Sequence, residues 1–279
     1  VVFGTDPDSD RLGVALKDEK GEFVALSGNQ VGILLLDYIL TKLSVDGKLT
    51  DKGFVVKSFV TTSMAKAIAD DFGVELIETL VGFKFIGEKI KQLDDSGKRE
   101  FIFGFEESCG YLRGTHCRDK DAVVASMLFA EMVCYYTYHG KGVYQRLQEL
   151  YEKYLRLYPY GAHSTQAKQK IIDLEVSNVF ASGNYGQLPS MDKTGYSNST
   201  YSTVSVRNDT QYTLTLRYSG VESKKIVISP HSSRSVQLKS GSYRIVASVN
   251  ASNVRNFAGR EELTGGSYDV SYYIQTSRY

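Results

Sequence analysis

The chain has 279 residues, 33 Lys+Arg against 32 Asp+Glu, and 42% hydrophobic residues, enough apolar material for one large or two ordinary globular domains. Such a composition excludes a disordered, collagen-like or coiled-coil chain. The formal charge of +1 is a cancellation, because residues 1–154 hold 19 basic and 24 acidic side chains (net −5) and residues 155–279 hold 14 and 8 (net +6). All three cysteines (Cys109, Cys117, Cys134) lie in the first segment, and 12 of the 20 tyrosines lie in the second. Unpaired thiols suit a reducing cytosol, and a Cys-free, Ser/Thr/Tyr-rich segment suits an exported surface. No membrane span is expected: Ile33–Leu40 falls well short of the roughly 18–20 apolar residues required and is interrupted by Asp37. The opening Val-Val-Phe-Gly carries no signal-peptide pattern, and the sequence reads as a fragment or processed chain.

In chain order, Val1–Thr5 and Leu12–Leu16 predict two strands around the polar loop Asp6-Pro7-Asp8-Ser9-Asp10-Arg11, with a turn at Asp18–Gly21. Asn29 is placed to cap a helix over 31–43, Phe54–Val60 predicts a buried strand, and Ser63 starts a helix that Gly73 stops. A strand at Val74–Thr79, a helix over Lys84–Leu93, a strand at Phe101–Phe105 and a long helix from Asp121 to His139 follow. Strands alternating with helices imply βαβ units and a mainly parallel sheet, with ligands at the carboxyl ends of the strands. Tyr144–Leu157 and Ser164–Glu175 predict two more helices, a pair similar to the end of a helical repeat. The Gly/Ser/Asn-rich stretch 184–201 reads as a linker. Beyond it, short alternating runs at Thr203–Arg207, Tyr212–Tyr218, Lys225–Ile228, Ser235–Leu238, Tyr243–Val249 and Tyr268–Ile274 predict a small antiparallel sandwich or barrel.

Asp6, Asp8 and Asp10, at alternate positions of a loop that follows a strand, can converge on one hard cation such as Mg²⁺, and Arg11 adds a planar cationic fork suited to phosphate. An EF-hand fits poorly, since its loop requires Gly where Arg11 stands and Glu where Lys17 stands. A haloacid-dehalogenase-type loop with Asp6 as nucleophile fits in part, and a solvated acidic turn is the plain alternative. Glu106 can accept, and Ser108 can donate or accept, hydrogen bonds with a ligand's hydroxyls, or the pair simply forms a turn after the strand. Lys120, in the alternating Arg118-Asp-Lys-Asp121 loop, either faces an anion or joins an ion-pair cluster. Cys109 reads as a loop thiol without catalytic duty.

Four motifs occur in order: Asp6-Pro-Asp-Ser-Asp-Arg-Leu-Gly, Thr79-Leu-Val-Gly-Phe-Lys84, Gly104-Phe-Glu-Glu-Ser-Cys-Gly110 and Arg118-Asp-Lys-Asp121. Together they resemble the α-D-phosphohexomutase superfamily (phosphoglucomutase/phosphomannomutase) over about residues 1–154, from the end of that family's second domain through its third. The resemblance implies Mg²⁺ held by Asp6, Asp8 and Asp10, with Arg11 and Lys120 at the phosphoryl group. It also implies substrate contacts from Glu106, Ser108, Gly82, Lys84 and Lys57. The implied ligands are hexose phosphates, such as glucose 1-phosphate and glucose 6-phosphate or mannose phosphates, and a bisphosphate intermediate. Val81 stands where the family more often has Thr.

The family's Ser-His-Asn-type nucleophile loop and its Arg/Ser/Gly/Thr-rich phosphate clamp have no counterpart in the sequence, so the chain is expected to be inactive alone. The segment after 154 resembles a tetratricopeptide-type helix pair followed by a small sandwich domain of exported bacterial proteins. Its basic residues are spread over alternating strands, which argues against nucleic-acid binding. The expected organisation is multidomain α/β plus all-β. Residues 1–30 close a metal-binding mutase domain, and 31–153 form a sugar-binding phosphohexomutase-type α/β domain. A helical connector (154–182) and a linker (183–200) then lead to a C-terminal antiparallel β-sandwich over 201–279. A natural fusion, a chimera or a splice of two fragments would each produce such a join. The alternative function is a non-enzymatic envelope or interaction protein acting through the helix pair and β-sandwich. The mutase part is expected in the cytoplasm, and the rest looks like an exported domain.

Overall fold

A computed structural model describes residues 1–17, 21–93, 97–161 and 163–274. The turn expected at Asp18–Gly21 falls, except for Gly21, outside these residues, as does the end of the expected C-terminal domain. The chain divides into two compact units, Val1–Tyr160 and Gly161–Tyr279.

The N-terminal unit opens with β1 (Val2–Thr5), β2 (Leu12–Lys17) and β3 (Phe23–Ala25), a three-stranded antiparallel sheet in the order β1-β2-β3. Helix α1 (Gly28–Val45) follows, then β4 (Gly53–Ser58), α2 (Met64–Asp71), β5 (Glu75–Thr79), α3 (Phe83–Leu93), β6 (Glu100–Glu106), β7 (Gly110–Leu112), α4 (Ala122–Tyr138) and α5 (Val143–Leu157). The second sheet has the order β5-β4-β6-β7, with β4 parallel to β5 and β6, and β7 antiparallel to β6. The expected βαβ arrangement is present, with β7 an antiparallel addition that its three-residue length kept out of the sequence pattern.

The core forms where periodicity and burial agree. Phe83, Ile86 and Ile90 lie on one stripe of α3 and pack on Phe54, Val56, Phe101 and Leu112; each such buried side chain contributes about 1.5–3 kcal/mol. Helix α1 is apolar on almost every side and is buried from Val31 to Leu40, because α2, α4, α5 and β6 all contact it. Its cap is Ser27 rather than Asn29: Ser27 Oγ accepts from Gln30 N, and Gln30 Oε1 accepts from Ser27 N, a closed capping box. Asn29 instead accepts from Thr62 N at 3.0 Å, a long-range contact. The Asp37 carboxylate, fully buried within α1, takes a two-pronged ion pair from Arg146 of α5 (2.7 and 2.9 Å) and a hydrogen bond from Tyr136 of α4 (2.8 Å).

The C-terminal unit begins with α6 (Ser164–Ser182), longer than the stretch 164–175 expected. It continues through β8 (Gly186–Gln187), β9 (Asp192–Gly195), β10 (Tyr201–Asn208), β11 (Leu214–Gly220), β12 (Ser223–Ile228), β13 (Ser232–Lys239), β14 (Gly241–Val249), β15 (Phe257–Leu263) and β16 (Gly266–Tyr272). Two sheets result, β13-β10-β16-β9 and β12-β11-β14-β15-β8, and their inward residues, among them Val204, Val206, Leu216, Tyr218, Ile245 and Val270, share one core. Two pairings are parallel, β10 with β16 and β15 with β8, against the all-antiparallel expectation. The stretch read as a linker supplies β8 and β9, which pair with β15 and β16. Pairing partners about 70 residues away leave no trace in local composition.

Helix α6 covers the second sheet: Val176 and Phe180 pack on Val246 and Ala258, and Glu175 pairs with Arg217 at 2.5 Å. Helix α5 meanwhile packs on α1 and α2. Each helix of the expected repeat-type pair thus finds its apolar partner within its own unit.

Candidate functional site

The loop between β1 and β2 is organised by one carboxylate oxygen. Asp6 Oδ1 accepts from the backbone N–H groups of Asp10 and Arg11, both at 3.1 Å, and Ser9 sits in the left-handed region with φ 57°. This Asx-type closure turns the alternate carboxylates inward. Oxygen atoms of Asp6, Asp8 and Asp10 all lie within 4.8 Å of one another. Three hard oxygen donors at that spacing fit Mg²⁺. Arg11 Nε stands 4.0 Å from Asp6 Oδ2 and 3.8 Å from Asp10 Oδ1, so a cationic fork borders the acidic cup. The Arg11 N–H bond, opposed by burial and reinforced by Asp10, holds the Asp6 carboxyl below the usual range.

Short backbone contacts fasten this loop to the second sheet. Arg11 bridges to Gly110, Leu12 N donates to Cys109 O at 3.0 Å, and Ala122 N donates to Ser9 O at 3.2 Å. Residues far apart in sequence, the acidic loop, the β6–β7 turn and the start of α4, therefore meet. Lys120 stands at the junction, bonded to Asp10 Oδ2 at 2.9 Å and Asp119 Oδ1 at 2.8 Å, with its ammonium 5.4 Å from the Phe83 ring centroid. Burial pulls the Lys120 ammonium down, but the bonds to Asp119 and Asp10 outweigh it and leave its pKa raised. Gly110 makes the approach possible: a Cβ there would lie 2.4 Å from Lys120 Cδ.

The β6–β7 turn presents the other expected residues. Glu106 is 5% exposed and its Oε1 accepts from Gly82 N at 2.7 Å, so the 79–84 loop is tied to the end of β6. Gly82 has φ 120°, a conformation that L side chains rarely adopt, which explains glycine at that bend. Ser108 is exposed, Cys109 follows with φ 68°, and Lys84 is exposed beside Phe85. Lys57 departs from the expected placement. Only 1% exposed, its ammonium donates to the carbonyls of Ser58 and Thr61 and pairs with Glu78 at 2.6 Å, so it braces the ends of β4 and β5.

Several partners had no signal in the sequence. Glu107 Oε2 accepts from Ser58 Oγ (3.1 Å) and Thr61 Oγ1 (2.8 Å), fixing the turn against the end of β4 from the side opposite Glu106. Glu78 is likewise recognisable only once the chain is folded, whereas Asp119 belongs to the ion-pair cluster that the Arg118–Asp121 loop offered.

Residues 27–154 match the family model described as phosphoglucomutase/phosphomannomutase, α/β/α domain III, and residues 165–271 match a domain of unknown function (DUF6759). Phosphoglucomutases of Staphylococcus aureus strains MRSA252 and USA300 are each 36% identical over 175 residues, which are 61% of this chain and 31% of theirs. The chain thus spans about a third of the length of these relatives. Among solved structures, a putative phosphomannomutase from Thermus thermophilus is 27% identical, with a TM-score of 0.41, over 54% of this chain and 30% of that one.

Proposed function

We propose, from the match of residues 27–154 to phosphoglucomutase/phosphomannomutase domain III, that the N-terminal unit is the metal- and sugar-binding part of a phosphohexomutase site. Asp6, Asp8 and Asp10 hold Mg²⁺, whose charge offsets that of a phosphoryl group. Arg11 and Lys120 flank the same anion, one as a fork and one as a point charge. Glu106, positioned by Gly82 N, accepts two sugar hydroxyls, and the exposed Ser108 and Lys84 extend the contact toward the substrate's periphery. Phosphoryl transfer depends mostly on positioning and charge neutralisation, and these residues supply both. The ligand class is a hexose phosphate or bisphosphate. These 279 residues by themselves support binding rather than turnover, since they contain no counterpart of the phosphoserine loop. The C-terminal unit, read as a β-sandwich, takes no part in the chemistry.

The observation that supports the reading is the stitching of the acidic loop to the β6–β7 turn through Arg11 and Leu12, and to the start of α4 through Ala122, which brings the Asp6–Asp10 loop beside the Glu106–Gly110 turn. Calorimetric titration with Mg²⁺ and glucose 1,6-bisphosphate tests it. The unaltered chain should bind, and Asp8→Asn and Glu106→Gln should each weaken binding about tenfold or more, in line with a lost charged contact of about 1.4 kcal/mol or greater. A flat titration of the unaltered chain sinks the proposal.

A further inference from the structure

A second cluster of ligand-type side chains lies on the loop leading into α4. His116, Cys117 and Asp121 place a ring nitrogen, a sulfur and a carboxylate oxygen within 4.8 Å of one another. This donor set differs in kind from the three carboxylates of the acidic loop. From it we propose a separate site for a soft divalent ion of the zinc class, held by His116, Cys117 and Asp121, with water completing the coordination.

Geometry and chemistry agree on this assignment. A tetrahedral ion with ligand bonds of about 2.0–2.3 Å sets its ligand atoms about 3.3–3.8 Å apart. His116 Nε2 and Asp121 Oδ2 are 2.8 Å apart, so insertion of an ion between them needs only a small opening. Asp121 is fixed for the purpose: its Oδ1 accepts from Val123 N (2.9 Å) and Val124 N (3.0 Å) as the cap of α4, which leaves Oδ2 to face His116. Cys117 packs partly against the Phe54 and Phe83 core, while His116 remains half exposed and gives the ion an entry route. A thiolate selects zinc-class ions over Mg²⁺, which prefers oxygen, so the two sites should not compete. On binding, the Cys117 thiol gives up its proton to the buffer and with it the hydrogen bond to Asp119 O (3.2 Å); the Nε2 proton that His116 shares with Asp121 leaves to the buffer, the neutral ring keeping its proton on Nδ1, and the hydrogen bond to Asp121 is replaced by two coordinate bonds. The neighbouring Lys120 ammonium has its own carboxylate partner in Asp119 at 2.8 Å.

Cobalt(II) reports on such a site directly. The full chain, reduced and held in excess Mg²⁺ to fill the acidic loop, is titrated with Co²⁺ while the near-ultraviolet spectrum is followed. Thiolate-to-cobalt charge transfer should appear, saturate at about one equivalent, and disappear on addition of Zn²⁺. Cys117→Ser should abolish the band and His116→Gln should weaken Co²⁺ binding about tenfold or more. Cys109→Ser and Cys134→Ser should leave it intact. His116 is exposed, so that variant folds and keeps the test decisive if Cys117→Ser proves unstable. Absence of the band, or a band that survives Cys117→Ser or is untouched by His116→Gln, overturns the proposal.

Discussion

The two units bury their polar groups in different ways. Among the described residues, the N-terminal unit encloses the charged Asp37, Lys57 and Glu106 together with the hydroxyls of Ser58 and Thr61, whereas the buried polar side chains of the C-terminal unit, Ser164, Ser202, Asn208, Thr210 and Ser219, carry no charge. Buried charge is costly unless paired, and each of the three has a partner: Arg146 for Asp37, Glu78 for Lys57, Gly82 N for Glu106. Two of these charges stand at the carboxyl ends of β4 and β6, where the candidate ligand site is. In the other unit the neutral groups tie turns to strands. Asn208 alone donates to three carbonyls, those of Tyr212, Ile228 and Ser229, and its own oxygen accepts from Thr210. Buried charge in the N-terminal unit thus serves both the fold, at Asp37 and Lys57, and the candidate site, at Glu106, whereas the C-terminal unit relies on neutral hydrogen bonds.

The contrast can be broken by substitution, beginning with its strongest member. Asp37→Ala leaves Arg146 in the interior without its two-pronged partner and should cost about 3–5 kcal/mol, read as a fall in the urea midpoint by circular dichroism. Next, Asn208→Ala should cost about 1–3 kcal/mol by leaving carbonyls without their donor, and hydrogen exchange should localise the loosening to the Asn208–Tyr212 turn and the end of β12. The opposite sign is expected at Tyr218, whose buried hydroxyl has no hydrogen-bond partner among the described residues and whose ionisation burial pushes far out of range. Tyr218→Phe should be neutral or stabilising by up to about 1 kcal/mol; a loss of more than that would reveal a partner for the hydroxyl.

The smallest effect is one of pH. Burial raises the pKa of Glu149, but hydrogen bonds from Lys141 and Arg146 outweigh it and bring it below its ordinary 4.5. A depressed carboxylate contributes its full stabilisation above the unfolded value, and this is lost as the pH falls through the folded one. The urea midpoint of the N-terminal unit should therefore drop as the pH is lowered from about 5 toward 3, and Glu149→Gln should flatten that drop. An unchanged slope in the variant would assign the acid sensitivity to other carboxylates.

Much of the N-terminal unit was legible before folding. The helical runs of α3 and α5, the start of α4 near Asp121 and the buried run of β4 are local patterns, and local patterns survive in a one-dimensional reading. The elements that escaped it, β3, β7, β8, β9 and β15, are short, half exposed or lacking alternation; β3, β7 and β15 are held by the strand just before each, and β8 and β9 by strands about 70 residues away. Lys57 illustrates the limit on site residues. Its position at the end of a strand is readable, but whether its ammonium reaches a ligand or turns inward depends on Glu78 of the neighbouring strand.

By itself, then, the sequence determined the two-part charge division, the alternation of strand and helix in residues 1–154, and the residue types of the acidic, Glu-Glu-Ser and Arg-Asp-Lys-Asp loops. Tertiary structure alone decided that these loops meet, that Asp37 is an anchor rather than a helix interruption, and that Lys57 turns inward to Glu78. The physical reason is range. Propensity, capping and periodicity act over a few residues of chain, whereas ion pairs, metal donors and strand ladders are set by distances of a few ångströms across space.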